Sequence, residues 1–227
     1  LNLAALLSPS FAQAGENRLP YPAIEQTQPK NQFGIPYALW SGWIFEGSPS
    51  FENGRVARTG ETCAEIIGAR GGRIRLFSPE VTLEPGRYRF SCYLRALDVG
   101  VHEWGLSSDL NIVGEEFIRV DTSGTYGWRR LGTVVEVPAV QTQRIALGLW
   151  AEGHLWVDDA ELVRVGDDTP LTEAPVLGPQ EAPIEPPGLV DLAEATRCPV
   201  CGYRNMPEWG RCYACGAEVS HGTPATS

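Results

Sequence analysis

The apolar and polar positions of this chain follow the rhythm of short strands. Between residues 31 and 165, alternating, β-branched and aromatic runs are separated by Gly, Pro, Asp and Asn, the residues that punctuate turns. The runs predict strands over 62–68, 73–77, 87–96, 102–110, 116–120, 129–137, 143–151 and 154–164. No comparable stretch has the spacing of an amphipathic helix. Strands with one apolar face must bury it against a second sheet, so the predicted class is an all-β sandwich. Alternation also assigns faces. Tyr88, Phe90, Cys92 and Leu94 point inward and Arg89, Ser91, Tyr93 and Arg95 outward; Ile145, Leu147 and Leu149 point inward and Ala146, Gly148 and Trp150 outward. Trp150 above small neighbours, with Tyr and Arg on another outer face, has the composition of a stacking platform or a protein hot spot. The alternative is that arms or loops cover Trp150 and make it core. Cys92 inward and Cys63 outward do not predict a disulfide between them.

The flanks read differently. Residues 1–30 form an apolar, extended arm: Leu-Ala-Ala-Leu-Leu followed by Ala12-Gln13-Ala14, the small-x-small form of a signal-peptidase site, then closely spaced Pro20, Pro22 and Pro29. It is either the remnant of a signal peptide or a tail that docks on a partner. It is too short to span a bilayer, which takes about 20 apolar residues, and no other segment could. Residues 166–187 hold Pro170, Pro175, Pro179, Pro183, Pro186 and Pro187 among acids. They predict a semi-rigid linker with a reach of roughly 60–70 Å if fully extended, or one that lies along the sandwich. Residues 188–219 carry Cys198, Cys201, Cys212 and Cys215, two C-x-x-C pairs ten residues apart. Two such knuckles make a closed four-thiolate site, so the expected ion is structural Zn2+, folding a segment too small for a core of its own. Two disulfides or a four-thiolate iron are the alternatives. Residues 220–227 form a tail.

A formal net charge of -10 opposes a general nucleic-acid or anionic-membrane role, which needs a cationic footprint. Catalysis has little support. The three histidines, His102, His154 and His221, lie in no metal or nucleophile motif, and adjacent Glu115 and Glu116 on a strand face opposite sides and cannot flank one bond.

Two resemblances add to this. Gly60-Glu61-Thr62-Cys63-Ala64-Glu65-Ile66, Leu83-Glu84-Pro85-Gly86-Arg87-Tyr88-Arg89-Phe90-Ser91, Gly124-Thr125-Tyr126-Gly127-Trp128 and the closing Leu155-Trp156-Val157-Asp158-Asp159 together resemble the galactose-binding-like jelly roll of carbohydrate-binding modules, over about 31–165. The resemblance implies a jelly-roll β-sandwich, glycan binding by aromatic side chains at Trp40, Trp43, Trp104 and Trp150 with Tyr93, structural roles for Trp128 and Trp156, and a Ca2+ held by Asp158 with Asn31 or Glu52 as companion. Cys198, Cys201, Asn205, Cys212 and Cys215 resemble the Ran-binding-protein zinc finger. Thr196 stands where that family stacks a Trp on RNA, and Gly202-Tyr203 where its ubiquitin-binding members have Thr-Phe, so a generic zinc ribbon used for protein contact is expected.

The leading expectation is therefore a non-catalytic accessory or scaffolding subunit, docking on protein subunits of a larger, membrane-associated assembly through its arm, jelly roll and ribbon. A glycan-binding protein using the exposed aromatics is the alternative, and electron transfer through iron on the four cysteines a third. The signal-like N-terminus points to an extracytoplasmic, periplasmic or cell-surface location. The thiolate site is commoner in reducing compartments, which would place the chain on the cytoplasmic face of a complex.

Overall fold

The computed structural model describes residues 15–24, 40–54, 57–60, 62–103, 105–114, 116–181, 196–197, 204–205, 212 and 218. Its elements are β-strands: β1 (Ser41–Glu46), β2 (Ser50–Gly54), β3 (Cys63–Gly68), β4 (Arg73–Leu83), β5 (Gly86–Val99), β6 (Ser108–Asn111), β7 (Ile118–Val120), β8 (Gly124–Val137), β9 (Gln141–Leu149), β10 (Gly153–Val165), β11 (Val176–Gln180), β12 (Thr196–Arg197) and β13 (Arg204–Asn205). Two antiparallel sheets face each other. The five-stranded one runs β1-β4-β9-β6-β7 and the six-stranded one β11-β8-β5-β10-β3-β2. From β3 to β10 the chain passes repeatedly from one sheet to the other, so neighbours in each sheet come from distant parts of the sequence. The all-β sandwich expected from the pattern is what forms. Among the described residues no helix is long and apolar enough to cross a membrane.

The core follows the alternation. Ile74, Leu76, Ile145, Leu147, Leu149 and Leu110 of one sheet meet Tyr88, Phe90, Leu94, Leu131, Leu155 and Leu162 of the other, all buried. Removing this apolar surface from water is the main stabilising contribution. The predicted strand over 102–110 is shorter than expected: only 108–111 pair, with the segment before them irregular. β1, β2 and β11 were not predicted, because Ser-Gly-Trp-Ile-Phe-Glu and Val-Leu-Gly-Pro-Gln lack alternation.

Two flanking segments expected to reach outward fold back onto the sandwich. Within the arm, Asn17 bridges Val163, its Oδ1 accepts from the Leu19 and Leu162 amides, and its Nδ2 donates to the Ala160 carbonyl at 3.1 Å. Leu19 and Ile24 then enter the core. This segment takes over the edge of β10 where β3 ends, since β3 pairs only with Gly153–Val157. Within the linker, β11 adds to the free edge of β8, and the Arg129 guanidinium donates to the Leu177 and Gly178 carbonyls. Residues 166–181 thus lie along the sandwich, the second of the two linker readings. An unpaired edge strand offers the linker a ladder of backbone partners that water would otherwise fill. Residues 1–14, most of the ribbon and 219–227 lie outside the described residues.

Candidate functional site

The outward residues of the five-stranded sheet form one cross-strand row. Trp43 pairs with Arg75, Arg75 with Gly148, Gly148 with Asp109, and Asp109 with Arg119. Residues in register share a face, so β1, β4, β9, β6 and β7 each contribute one group. Gly148 makes the row possible. A Cβ at that position would sit 2.1 Å from Asp109 Oδ1 and 3.0 Å from Arg75 Cγ, so its absence lets an ion pair lie across the strand. Arg75 Nε donates to Asp109 Oδ1 at 3.1 Å and Nη2 to Oδ2, a two-point fork. The pair is only 4% and 2% exposed, although it stands on the outer face of the sheet.

Aromatic side chains provide that burial. The Arg75 guanidinium lies 3.6 Å from the centre of the Phe117 ring and 5.1 Å from that of Phe45. Trp150 donates its indole Nε1–H to Asp109 Oδ2 at 2.8 Å, and Arg73 stacks on it at 4.1 Å and on Phe45 at 4.8 Å. Such contacts are individually worth about 0.5–2 kcal/mol, and together they fix the rings. Above this anchored layer, Trp43 is 64% exposed, with Phe45 tilted against it at 6.4 Å. Ile44, Phe45 and Phe117 are also exposed. Beside Trp150, whose ring meets His102 edge-on, a cleft of about 690 Å3 opens, with Glu46, Arg70, Glu103 and Glu152 on its walls. The result is an open aromatic surface with a rigid polar foundation, suited to stacking against the flat apolar face of a ring with hydroxyls at its rim.

The structure separates the predicted site residues. Trp43 and Trp150 are on this face together. Trp40 is a correction: it is 3% exposed and donates Nε1 to the Tyr21 carbonyl at 3.1 Å, a core residue that pins the N-terminal segment. Tyr93 is a second correction. It belongs to β5, in the other sheet, so it cannot join Trp150 in one platform, and the Arg58 guanidinium covers its ring at 3.5 Å. Trp104 lies outside the described residues. Trp128 and Trp156 are buried, as their structural reading requires. Phe45, Arg73, Arg75, Asp109, Phe117 and Gly148 escaped as site residues; the alternation Arg73-Ile74-Arg75-Leu76 carried a signal for two of them.

Asp158 is buried where β10 bulges. Its Oδ2 accepts from the Arg58 and Thr59 amides at 2.7 and 3.3 Å and its Oδ1 from the Asp159 amide at 2.8 Å. Burial, and then the charge of Asp159, push its carboxyl up to about 7 against the pull of these amides. Arg58 meanwhile pairs with Asp159 at 2.7 Å and Glu181 at 2.9 Å. Three amide hydrogens already occupy most of its lone-pair sites, so a Ca2+ ion there would have only the remainder to share. The Asn31 companion and the Glu52 side chain lie outside what the structure describes. Here Asp158 is an anchor that ties the 58–59 loop to β10, with Glu181 adding the end of β11.

Of the four cysteines only Cys212 is among the described residues, and it is buried; Cys198, Cys201 and Cys215 lie outside them. Thr196 pairs with Asn205 and Arg197 with Arg204. Cys63 is buried despite its outward register, and burial raises the thiol pKa of Cys92.

No protein-family model and no curated protein matches this chain. Among solved structures, it is similar to the TmCBM61 module in complex with β-1,4-galactotriose, at 18% identity and a TM-score of 0.44, covering 66% of this chain and 99% of that one. It is also similar to a carbohydrate-binding module of Cellvibrio mixtus lichenase 5A in complex with cellotriose, at 13% identity and a TM-score of 0.38, covering 68% and 100%. A family 11 carbohydrate-binding module from Clostridium thermocellum matches at 11% identity and a TM-score of 0.30, covering 63% and 96%. At TM-scores below 0.5 the outline is shared only loosely.

Proposed function

We propose that this protein is a non-catalytic glycan-binding module, and that the outer face of the five-stranded sheet is its sugar platform. The observation that carries the reading is Trp43, 64% exposed in a row whose next members are a buried ion pair. An exposed indole that continues into the exposed Phe45, Ile44 and Phe117 makes a contiguous apolar patch, the kind of surface that marks an interaction site. Residues 15–24 and 166–181 bind their own sandwich, which takes reach from the accessory-subunit reading over those segments. An extracytoplasmic location follows from the ligand. The test is a glycan array with wild type, Trp43→Ala, Trp150→Ala and Trp40→Phe. Binding should fall by about tenfold or more in the first two, as for hot-spot aromatics, and stay unchanged in the third. Binding to no glycan, or binding indifferent to Trp43, refutes it.

The four cysteines are proposed to hold a structural zinc ion, supported by burial of Cys212 and by the pairing of β12 with β13, the strands on either side of Cys198 and Cys201 in sequence. In that site Cys198, Cys201, Cys212 and Cys215 would each supply a thiolate. Metal analysis should give one zinc per chain, and iron would show as a red protein.

A further inference from the structure

The sugar platform carries more positive charge than a neutral ligand needs. Four guanidinium groups, Arg73, Arg75, Arg119 and Arg144, belong to the outer face of the five-stranded sheet, in a chain of net charge -10, and Arg144 is paired with Glu80 at 3.8 Å. Arg75 is neutralised by Asp109. Arg73 is not: among the described residues it forms no ion pair, its Nε is buried with no hydrogen-bond partner, and it is held flat against Trp150 and Phe45. Arg119 is exposed in register with Asp109 and, among the described residues, also forms no ion pair. The acids facing them are few. Asp109 is taken by Arg75 and Trp150, and Glu46 is exposed in register with Arg73 without closing a bridge to it. Glu103 and Glu152 belong to the cleft beyond Trp150.

We propose that this face selects a glycan bearing an oxyanion, a uronate carboxylate or a sulfate ester, rather than a neutral one. The inference rests on the glycan-binding reading and names its substrate class. A guanidinium stacked on aromatic rings is partly stripped of water but keeps its edge N–H groups in one plane, which matches two oxygens of an acid group. A neutral sugar would leave that guanidinium without a direct ion pair, balanced only at a distance by Asp109 and Glu46. The remainder of the protein is acidic and repels a polyanion, so the approach must be confined to this patch and weakened by salt.

The experiment is affinity electrophoresis of the full chain through polygalacturonate, a sulfated galactan and a neutral galactan, with wild type, Arg73→Gln, Arg119→Gln and Trp43→Ala. Wild type should bind one of the acidic polymers about tenfold or more tightly than the neutral one, which a single charge-assisted contact can supply; which acidic polymer it retains tells carboxylate from sulfate. Arg73→Gln should abolish that preference, whatever it does to neutral binding through the rings Arg73 holds, while added salt weakens only the acidic arm. Arg119→Gln, at an exposed position, makes the same comparison should Arg73→Gln fail to fold. Neutral polymer bound as tightly as acidic, or both arginine variants without effect, overturns the acidic preference and leaves glycan binding standing. Retention by none of the polymers, with Trp43→Ala indistinguishable from wild type, overturns both.

Discussion

Replacing Gly148 with alanine adds one methyl group near the C-terminal end of β9 and should unseat the polar foundation of the platform. The new Cβ would lie 2.1 Å from Asp109 Oδ1, against an ordinary contact of 3.4 Å or more, so the carboxylate must retreat by about 1 Å. That retreat carries the 3.1 Å bond from Arg75 Nε beyond hydrogen-bonding range and withdraws the acceptor from Trp150 Nε1. Removing one partner from a buried pair costs about 3–5 kcal/mol. Because Asp109 is displaced rather than removed, the expected cost is about 2–4 kcal/mol, or a fall in Tm of about 5–15 °C for a domain of this size. The control is Gly132→Ala in β8, where nothing lies within 4 Å of an added Cβ; it should change stability by less than about 1 kcal/mol. Denaturant melts of both variants, and of Gly148→Ala in an Asp109→Ala background, measure the effect. The cost should shrink in that background, because the clash is gone. A Gly148→Ala cost below about 1 kcal/mol, or one unchanged by Asp109→Ala, refutes the account.

Further outcomes follow from the same geometry. Trp43→Ala should leave the melting curve within about 0.5 kcal/mol of wild type while abolishing glycan retention, since its ring is mostly solvent-exposed. Trp40→Ala should do the reverse, costing about 3–5 kcal/mol by opening a cavity under the N-terminal segment while leaving retention by the folded fraction unchanged. Asp158, with a folded value of about 7 against an ordinary 3.8, binds its proton more tightly when folded. Its contribution is therefore fully present below about pH 4 and is lost as pH rises from there to about 7, by up to about 4 kcal/mol. Denaturation at pH 5 and pH 8 should show about 2–3 kcal/mol of that loss in wild type and a flatter dependence in Asp158→Asn; equal slopes would contradict it.

How much of this was legible in the chain depends on the range of the interaction concerned. Alternation within Tyr88-Arg89-Phe90-Ser91 and Ile145-Ala146-Leu147-Gly148 determined the strands and which residues enter the core, because a strand's side chains alternate whatever it pairs with. Trp150 outward and Trp128 and Trp156 buried were readable on that basis or from resemblance. Tertiary structure alone decided the rest. Pairing order placed Tyr93 and Trp150 on different sheets and put Trp43, Arg75, Gly148, Asp109 and Arg119 in one row, a relation between residues as much as 105 apart in sequence that no local pattern encodes. The arm and the linker looked built for reach because prolines and short apolar runs give no periodicity. They fold back because β10 and β8 present unpaired edges, and an edge exists only once a sheet has formed.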